Sequence, residues 1–186
     1  MNRVLLVLVV LIMSSIGFFV FFWSQGNKIV PTPKETNQRA AIPQRLIIPK
    51  LNVDTSVESV GLDANQRMDV PKNVNNVAWY NLGYRPGEVG NSVMAGHFDD
   101  INGKPAVFYN LHTLKVGDDI ISIGDNNMQT KFVVSQVEEY DYNNFPIEQV
   151  FGDFPIARLI LITCDGTFDQ AKHIYLKRTV VYSRLP

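Results

Sequence analysis

The sequence predicts an all-β domain, either a closed barrel or a sandwich, preceded by one N-terminal transmembrane helix. Three observations carry that expectation. Eight short runs rich in β-branched and aromatic residues recur between residues 45 and 183. Glycine, asparagine and proline punctuate them at "GLDAN", "YRPGEVGN", "VGD" and "GDNN", and one uncharged apolar stretch stands at the N-terminus. Many short strands between turn residues, with little helical periodicity, favour sheets that close or pack face to face. The 186 residues, 46% of them apolar, are enough for one domain of ordinary size and a short appendage.

The elements follow in order. Residues 1–3 form a short terminus, cytoplasmic if the domain that follows lies outside the cell. "VLLVLVVLIMSSIGFFVFFW", Val4 to Trp23, carries no charge. At about 1.5 Å per helical residue it spans the roughly 30 Å core of a bilayer. Trp23 and the phenylalanines before it sit where interfacial aromatics belong, while Arg3 on one side against Lys28 and Lys34 on the other leave the orientation undecided by charge. A cleaved signal peptide is the competing reading, but the stretch exceeds the usual apolar region and no A-x-A-like site follows it. No lipidation cysteine follows either, because the single cysteine is Cys164. Residues 24–44, polar and with three prolines, read as an extended tether. The folded domain is expected over 45–186.

Within it the expected strands are "RLIIPK" (45–50), "VDTSVESV" (53–60), "NVAWY" (76–80), "NSVMAGH" (91–97), "DDIISIG" (118–124), "KFVVSQVEEY" (131–140), "RLILIT" (158–163) and "HIYLKRTVVYS" (173–183). Short helices are expected around Ala106 to Leu114 and Ile147 to Phe151. There is no internal repeat and no low-complexity tract. A net charge near −1 without a long basic run excludes the electrostatic footprint that a nucleic-acid backbone demands.

The chemistry centres on one residue. In a chain that leaves the cytoplasm, a lone cysteine has no internal disulfide partner and is either a buried bystander or a reactive thiol. Cys164 ends the apolar run "LILIT" and His97 ends "SVMAGH", so each reactive side chain stands where a buried strand reaches the rim. Thiol chemistry needs the thiolate, and an imidazole can take the proton and later return it to a leaving group. Arg178, on the strand after Cys164, could steady an oxyanion, although strand cations usually face solvent. Lys177 points the opposite way on a strand, and Arg184 lies near the chain end. From the residues alone His112 and His173 compete with His97 as the base.

"GLDANQRMDVP", "VAWY", "RPGEVGNSVMAGHFDDINGKPAVFYNLHTLKVGD", "LITCDGTFD" and "KRTVVY", in this order, resemble the sortases, membrane-anchored cysteine transpeptidases of Gram-positive bacteria. The likeness covers residues 45 to 183, and the stretch from "WYNLG" to "AVFYNL" looks most like class F. Many class F members carry an Arg-Asp-Asn-like stretch on the last strand; here it reads "LKRT", with the arginine where other sortase classes have it. The resemblance implies a closed eight-stranded barrel with short helices, its groove at the ends of strands four, seven and eight. By matching position it implies Cys164 as nucleophile, His97 as general acid and base, and Arg178 as the oxyanion or substrate stabiliser.

It further implies cleavage of an LPXTG-like signal between Thr and Gly through a Cys thioacyl intermediate. The partners would be secreted proteins with such C-terminal signals, an amine of a peptidoglycan precursor or of a pilin lysine, and membrane lipid around the N-terminal helix, with the catalytic domain outside a Gram-positive cell. The aromatic stretch "YDYNNFPIEQVFGDFP" (140–155) becomes the wall that recognises the Leu-Pro part of the signal, plain packing on the barrel being the other reading. Some sortases use calcium, and Glu138, Glu139 and Asp141 lie where such a site could form. "HFDD" lacks a second histidine or cysteine at ligand spacing. Solvated acidic faces being the commoner arrangement, no metal and no cofactor is expected. A plain Cys-His peptidase with water as acceptor, and an inactive binding barrel, are the alternatives.

Overall fold

The computed structural model describes residues 39–186, which form one compact unit. The expected membrane segment and most of the tether, residues 1–38, lie outside the described residues. Among the described residues no helix is long and apolar enough to cross a membrane.

Eight strands close into a barrel: β1 (Pro43–Ile48), β2 (Val53–Val60), β3 (Val77–Tyr80), β4 (Gly90–Gly96), β5 (Asp119–Gly124), β6 (Gln129–Asp141), β7 (Ala157–Asp169) and β8 (Ile174–Arg184). Around the barrel they run β1-β2-β3-β4-β7-β8-β6-β5, and β5 returns to β1. The pairs β2/β3 and β4/β7 are parallel and the others antiparallel. Parallel neighbours cannot be joined by a tight turn. β6 and β7 each pair antiparallel with β8, which lies between them, so they run in the same direction and the chain crosses from one to the other through the only α-helix among the described residues, α1 (Ile147–Phe151).

The apolar run on β7 is continuous because both of its faces are covered. Leu159 and Leu161 point into the barrel with Leu46, Ile48, Met94, Phe132 and Val181. Ile160 and Ile162 point outward with Val93, Val180 and Tyr182, and are roofed by Val150 of α1 and by Phe145 and Phe151. The crossover therefore builds a second, smaller core on the outer face of β4, β7 and β8.

Beyond shifts of one or two residues at other strand ends, three differences from the sequence expectation stand out. β1 opens at Pro43, before Arg45, because Ile42 is already tied to Asp125 and the Ala40 carbonyl to Arg85. The helix expected over Ala106 to Leu114 is a series of tight turns whose backbone bonds run from residue i to i−3, with only Leu111–Thr113 forming a 3₁₀ turn. Phe108, Leu111 and Leu114 recur at a period of three, which such turns present on one side, and all three plug the barrel. Finally, β7 runs past Cys164 to Asp169 and β8 begins at Ile174, so this hairpin extends beyond the expected strand end. A register shift between Asp165 and Phe168, with Gly166 at φ +77°, marks a bulge directly after Cys164.

Candidate functional site

Strand period decides which side chains meet. Side chains alternate in and out along a strand, so with Leu161 inside, Cys164 lies on the outer face of β7 together with Ile162. Arg178 on β8 is the direct cross-strand partner of Cys164. His97 follows the last residue of β4, and β4 pairs with β7 up to Ala95–Ile162. All three side chains reach one cavity of about 650 Å³, within the size range of small-ligand and short-peptide sites.

The cavity has two walls. One is the crossover after β6, which contributes Tyr142, Phe145, Ile147 and Phe151, all within the aromatic stretch singled out in the sequence. The other is the β2–β3 connection, which contributes Leu62, Arg67, Met68, Val70 and Pro71. Sequence reasoning assigned this second wall no role in the site; Met68 and Val70 interrupted by charges give no period that separates a groove wall from a turn. Ile147 and Val70 are 63% and 54% exposed. The cavity thus presents unburied apolar surface to an occupant.

Small residues behind the site set its spacing. A Cβ on Gly96 would fall 2.5 Å from the Phe108 ring, so only glycine lets the end of β4 lie against the barrel plug and deliver His97. Thr163, pointing inward and buried, donates from Oγ1 to the Gly96 carbonyl at 2.9 Å. That bond ties the strand bearing the histidine to the strand bearing the cysteine. On the far side, Thr179 donates to the Asp165 carboxylate across β7 and β8. Neither threonine was singled out in the sequence, since a buried strand threonine carries no distinguishing pattern.

The Nε2 of His97 lies 3.0 Å from the Pro71 carbonyl oxygen. A carbonyl only accepts, so Nε2 carries the hydrogen and Nδ1 is the nitrogen left to exchange a proton. Arg178 uses Nη1 to donate to the carbonyls of Tyr175 and Lys177 at 3.0 and 2.7 Å, and its guanidinium lies 4.9 Å from the Tyr142 ring centroid. The group is thereby held while Nε and Nη2 have no hydrogen-bond partner among the described residues.

Burial pushes the Cys164 thiol above its ordinary value; the Arg178 charge pulls it back, and Asp99 and Asp165 push it further up. The sulfur is half-buried and its surroundings favour the thiol over the thiolate, so thiolate chemistry at this position would draw on a base. The competing residues stand elsewhere. His112 and His173 are exposed and outside the cavity, Lys177 pairs with Glu139, and Arg184 lies opposite Arg158 at the other end of the hairpin. The acidic stretch that ends β6 does not fit a cation: Lys177 occupies Glu139, Gln136 donates to Glu138, and no three histidine, cysteine or acidic side chains converge among the described residues.

The family model for the sortase domain matches residues 46–186. Solved structures share the fold. The lid mutant of sortase A from Corynebacterium diphtheriae is 17% identical, with 82% of this chain and 74% of that chain covered at a TM-score of 0.59. Sortase A from Listeria monocytogenes is 20% identical, covering 79% and 88% at a TM-score of 0.59. The sortase D5 transpeptidase from Clostridium perfringens is 18% identical, covering 80% and 82% at 0.58. These structures are of classes A and D, and the likeness to class F rests on the sequence motifs alone. A search of curated proteins finds no significant match.

Proposed function

Since the chain belongs to the sortase family of cysteine transpeptidases, we propose that it cleaves an LPXTG-like signal between Thr and Gly and passes the new carboxyl end to an amine. The observation that carries this reading is the cross-strand pairing of Cys164 with Arg178, beside His97, at one end of an apolar cavity. In this reading the Leu-Pro part of the signal lies against Ile147, Phe151, Met68 and Val70, which line the same cavity as Cys164, and the Thr carbonyl meets the sulfur.

The steps follow from the groups. His97 accepts the thiol proton at Nδ1 as Sγ forms a bond to the Thr carbonyl carbon. The open Nε and Nη2 donors of Arg178 meet the oxyanion, a contact typically worth about a hundred- to a thousandfold in rate. The Thr–Gly C–N bond breaks, and His97 returns the same proton to the departing glycine amine, leaving a thioester on Cys164. An incoming amine reverses the sequence and regenerates the thiol. In the cell the acceptor is an amine of a peptidoglycan precursor or a pilin lysine. The residue 4–23 stretch holds the domain at the outer face of a Gram-positive membrane, its N-terminus inside.

The test is the whole 186-residue chain in detergent, mixed with an LPXTG peptide with and without triglycine, and read by intact-mass spectrometry. A thioacyl adduct on Cys164 that an amine converts to ligated product is expected. Release of free acid alone, at the same rate with or without amine, identifies a hydrolytic peptidase. No adduct across a panel of related signals, with the thiol reduced, identifies a binding barrel.

A further inference from the structure

The cavity ends at Cys164, and the β7–β8 hairpin continues past it. Beyond the thiol lies a different surface. Phe98 and Asp99 follow His97; Phe168 and Tyr175 are cross-strand partners on the extended hairpin. None of these four lines the cavity. The Tyr175 ring packs edge-on against Phe98 at 5.4 Å and against Phe168 at 5.1 Å between centroids, and Phe98 in turn lies 4.7 Å from Tyr109. The Tyr175 hydroxyl donates to the Asp99 carboxylate. Phe168 and Tyr109 are 37% and 36% exposed, so the patch is open to solvent at its edge.

Asp99 is the odd member. It is half-buried, and the six ion pairs among the described residues leave it out. Its charge also opposes ionisation of the neighbouring thiol. A carboxylate that hinders the nucleophile is explained if it serves the other substrate. Tyr175 has given its one hydrogen to Asp99, so its oxygen, like the second carboxylate oxygen, can only accept. One carboxylate oxygen and one neutral phenol oxygen, both acceptors and ringed by aromatic faces, suit a primary ammonium on a short chain.

Resting on the transpeptidase reading, we propose that Asp99 and Tyr175 form the acceptor-amine subsite: the acyl chain fills the cavity on one side of Cys164, and the ammonium docks on the other. The hairpin side of Cys164 offers a route that the cavity lining does not occupy. With the thioester's acyl part occupying the cavity, the leaving amine departs and the new one enters by that side. The docked ammonium loses one proton to His97, its nitrogen bonds to the thioester carbon, and the C–S bond breaks. A second amine proton is lost as the amide forms, and Sγ takes one proton back. Thioester and ammonium become amide, thiol and one released proton.

The test compares two acceptors on the whole chain pre-acylated with an LPXTG peptide at neutral pH. Triglycine offers an ammonium; hydroxylamine is mostly uncharged. In Asp99→Asn, which still accepts from Tyr175, the ratio of triglycine to hydroxylamine aminolysis at subsaturating acceptor should fall about tenfold or more, the scale of a lost charge-assisted hydrogen bond. Tyr175→Phe, which keeps the ring stack, should lower the same ratio less, and Asp99→Glu should restore part of it. An unchanged ratio in Asp99→Asn, or an equal loss for both acceptors, overturns the assignment. Failure of the unaltered chain to form the thioester at all would instead overturn the transpeptidase reading.

Discussion

Cys164 and Arg178 sit directly opposite each other on β7 and β8, with their side chains on the same outer face of the barrel. The pairing puts a permanent cation beside a thiol that burial holds in its protonated form. The guanidinium favours the thiolate, so its removal must raise the thiol pKa further. Arg178→Gln should move the pH profile of Cys164 alkylation by iodoacetamide to higher pH, with Arg178→Lys in between. The same Gln variant should lower kcat by about a hundredfold or more through loss of the oxyanion donors. An unmoved alkylation profile would mean that the charge does not act on the sulfur.

Thr163 links the two strands that carry His97 and Cys164 through its bond to the Gly96 carbonyl. Thr163→Val keeps the volume but removes the donor and leaves a buried carbonyl unpaired, which costs about 1–3 kcal/mol. A fall of several degrees in Tm is expected, at about 2–4 °C per kcal/mol for a domain of this size. Because the bond sets the spacing of the pair and touches no substrate, kcat should fall while donor KM changes little. A rise in KM alone would assign Thr163 to the binding wall instead.

Asn91 and Arg158 hold the crossover that forms the aromatic wall. Asn91 Nδ2 donates to the carbonyls of Gln149 and Gly152 at 3.2 and 2.8 Å, and Arg158 Nη2 donates to Gln149 at 2.9 Å. Arg158 Nε also donates to Asn91 Oδ1 at 2.8 Å, and its guanidinium lies 3.5 Å over the Phe154 ring. These bonds satisfy backbone oxygens at the end of α1 that a five-residue helix cannot satisfy itself. Asn91→Ala should loosen Ile147 and Phe151, raising donor-peptide KM severalfold, with kcat less affected. Peptide titration with unchanged KM would show that the wall is held without this network.

Glu58 at the end of β2 accepts from the Lys72 and Asn73 amides and from the Asn76 side chain, fixing the segment that leads into β3. The Lys72 amide foremost, with Asn76 next, holds its carboxyl below the ordinary value of 4.5. A depressed carboxyl stabilises the fold fully above its unfolded pKa, and the contribution is lost as pH falls through the folded value. Glu58→Gln should therefore lower Tm at neutral pH, and the gap to the unaltered protein should narrow as the pH falls below the ordinary glutamate range. A gap constant from neutral to acid pH would show that the charge contributes nothing.

Much of the architecture was legible in local pattern. β2 and α1 begin and end where the runs "VDTSVESV" and "IEQVF" do, because alternating or turn-bounded segments with compatible propensity leave few alternatives. The 106–114 segment misled because apolar spacing of three is shared by a helix and by successive 3₁₀ turns, and contact with the barrel interior decided between them. The extension of β7 past Cys164 was hidden by "DGTFD", whose glycine and acids read as a turn until pairing with β8 and a bulge carry the strand through.

The sequence by itself determined the all-β class, the one free thiol and the chain order of His97, Cys164 and Arg178 in motifs that resemble the family's. Those are properties of local periodicity and of residue identity in chain order. Only the tertiary structure decided that Cys164 faces Arg178 across a hairpin, that the β2–β3 connection supplies the second wall, and that Asp99 meets Tyr175 beyond the thiol. Each of these is a contact between segments distant in the chain, set by strand register and barrel closure, and no local pattern encodes register across a parallel pair or the side from which a crossover returns.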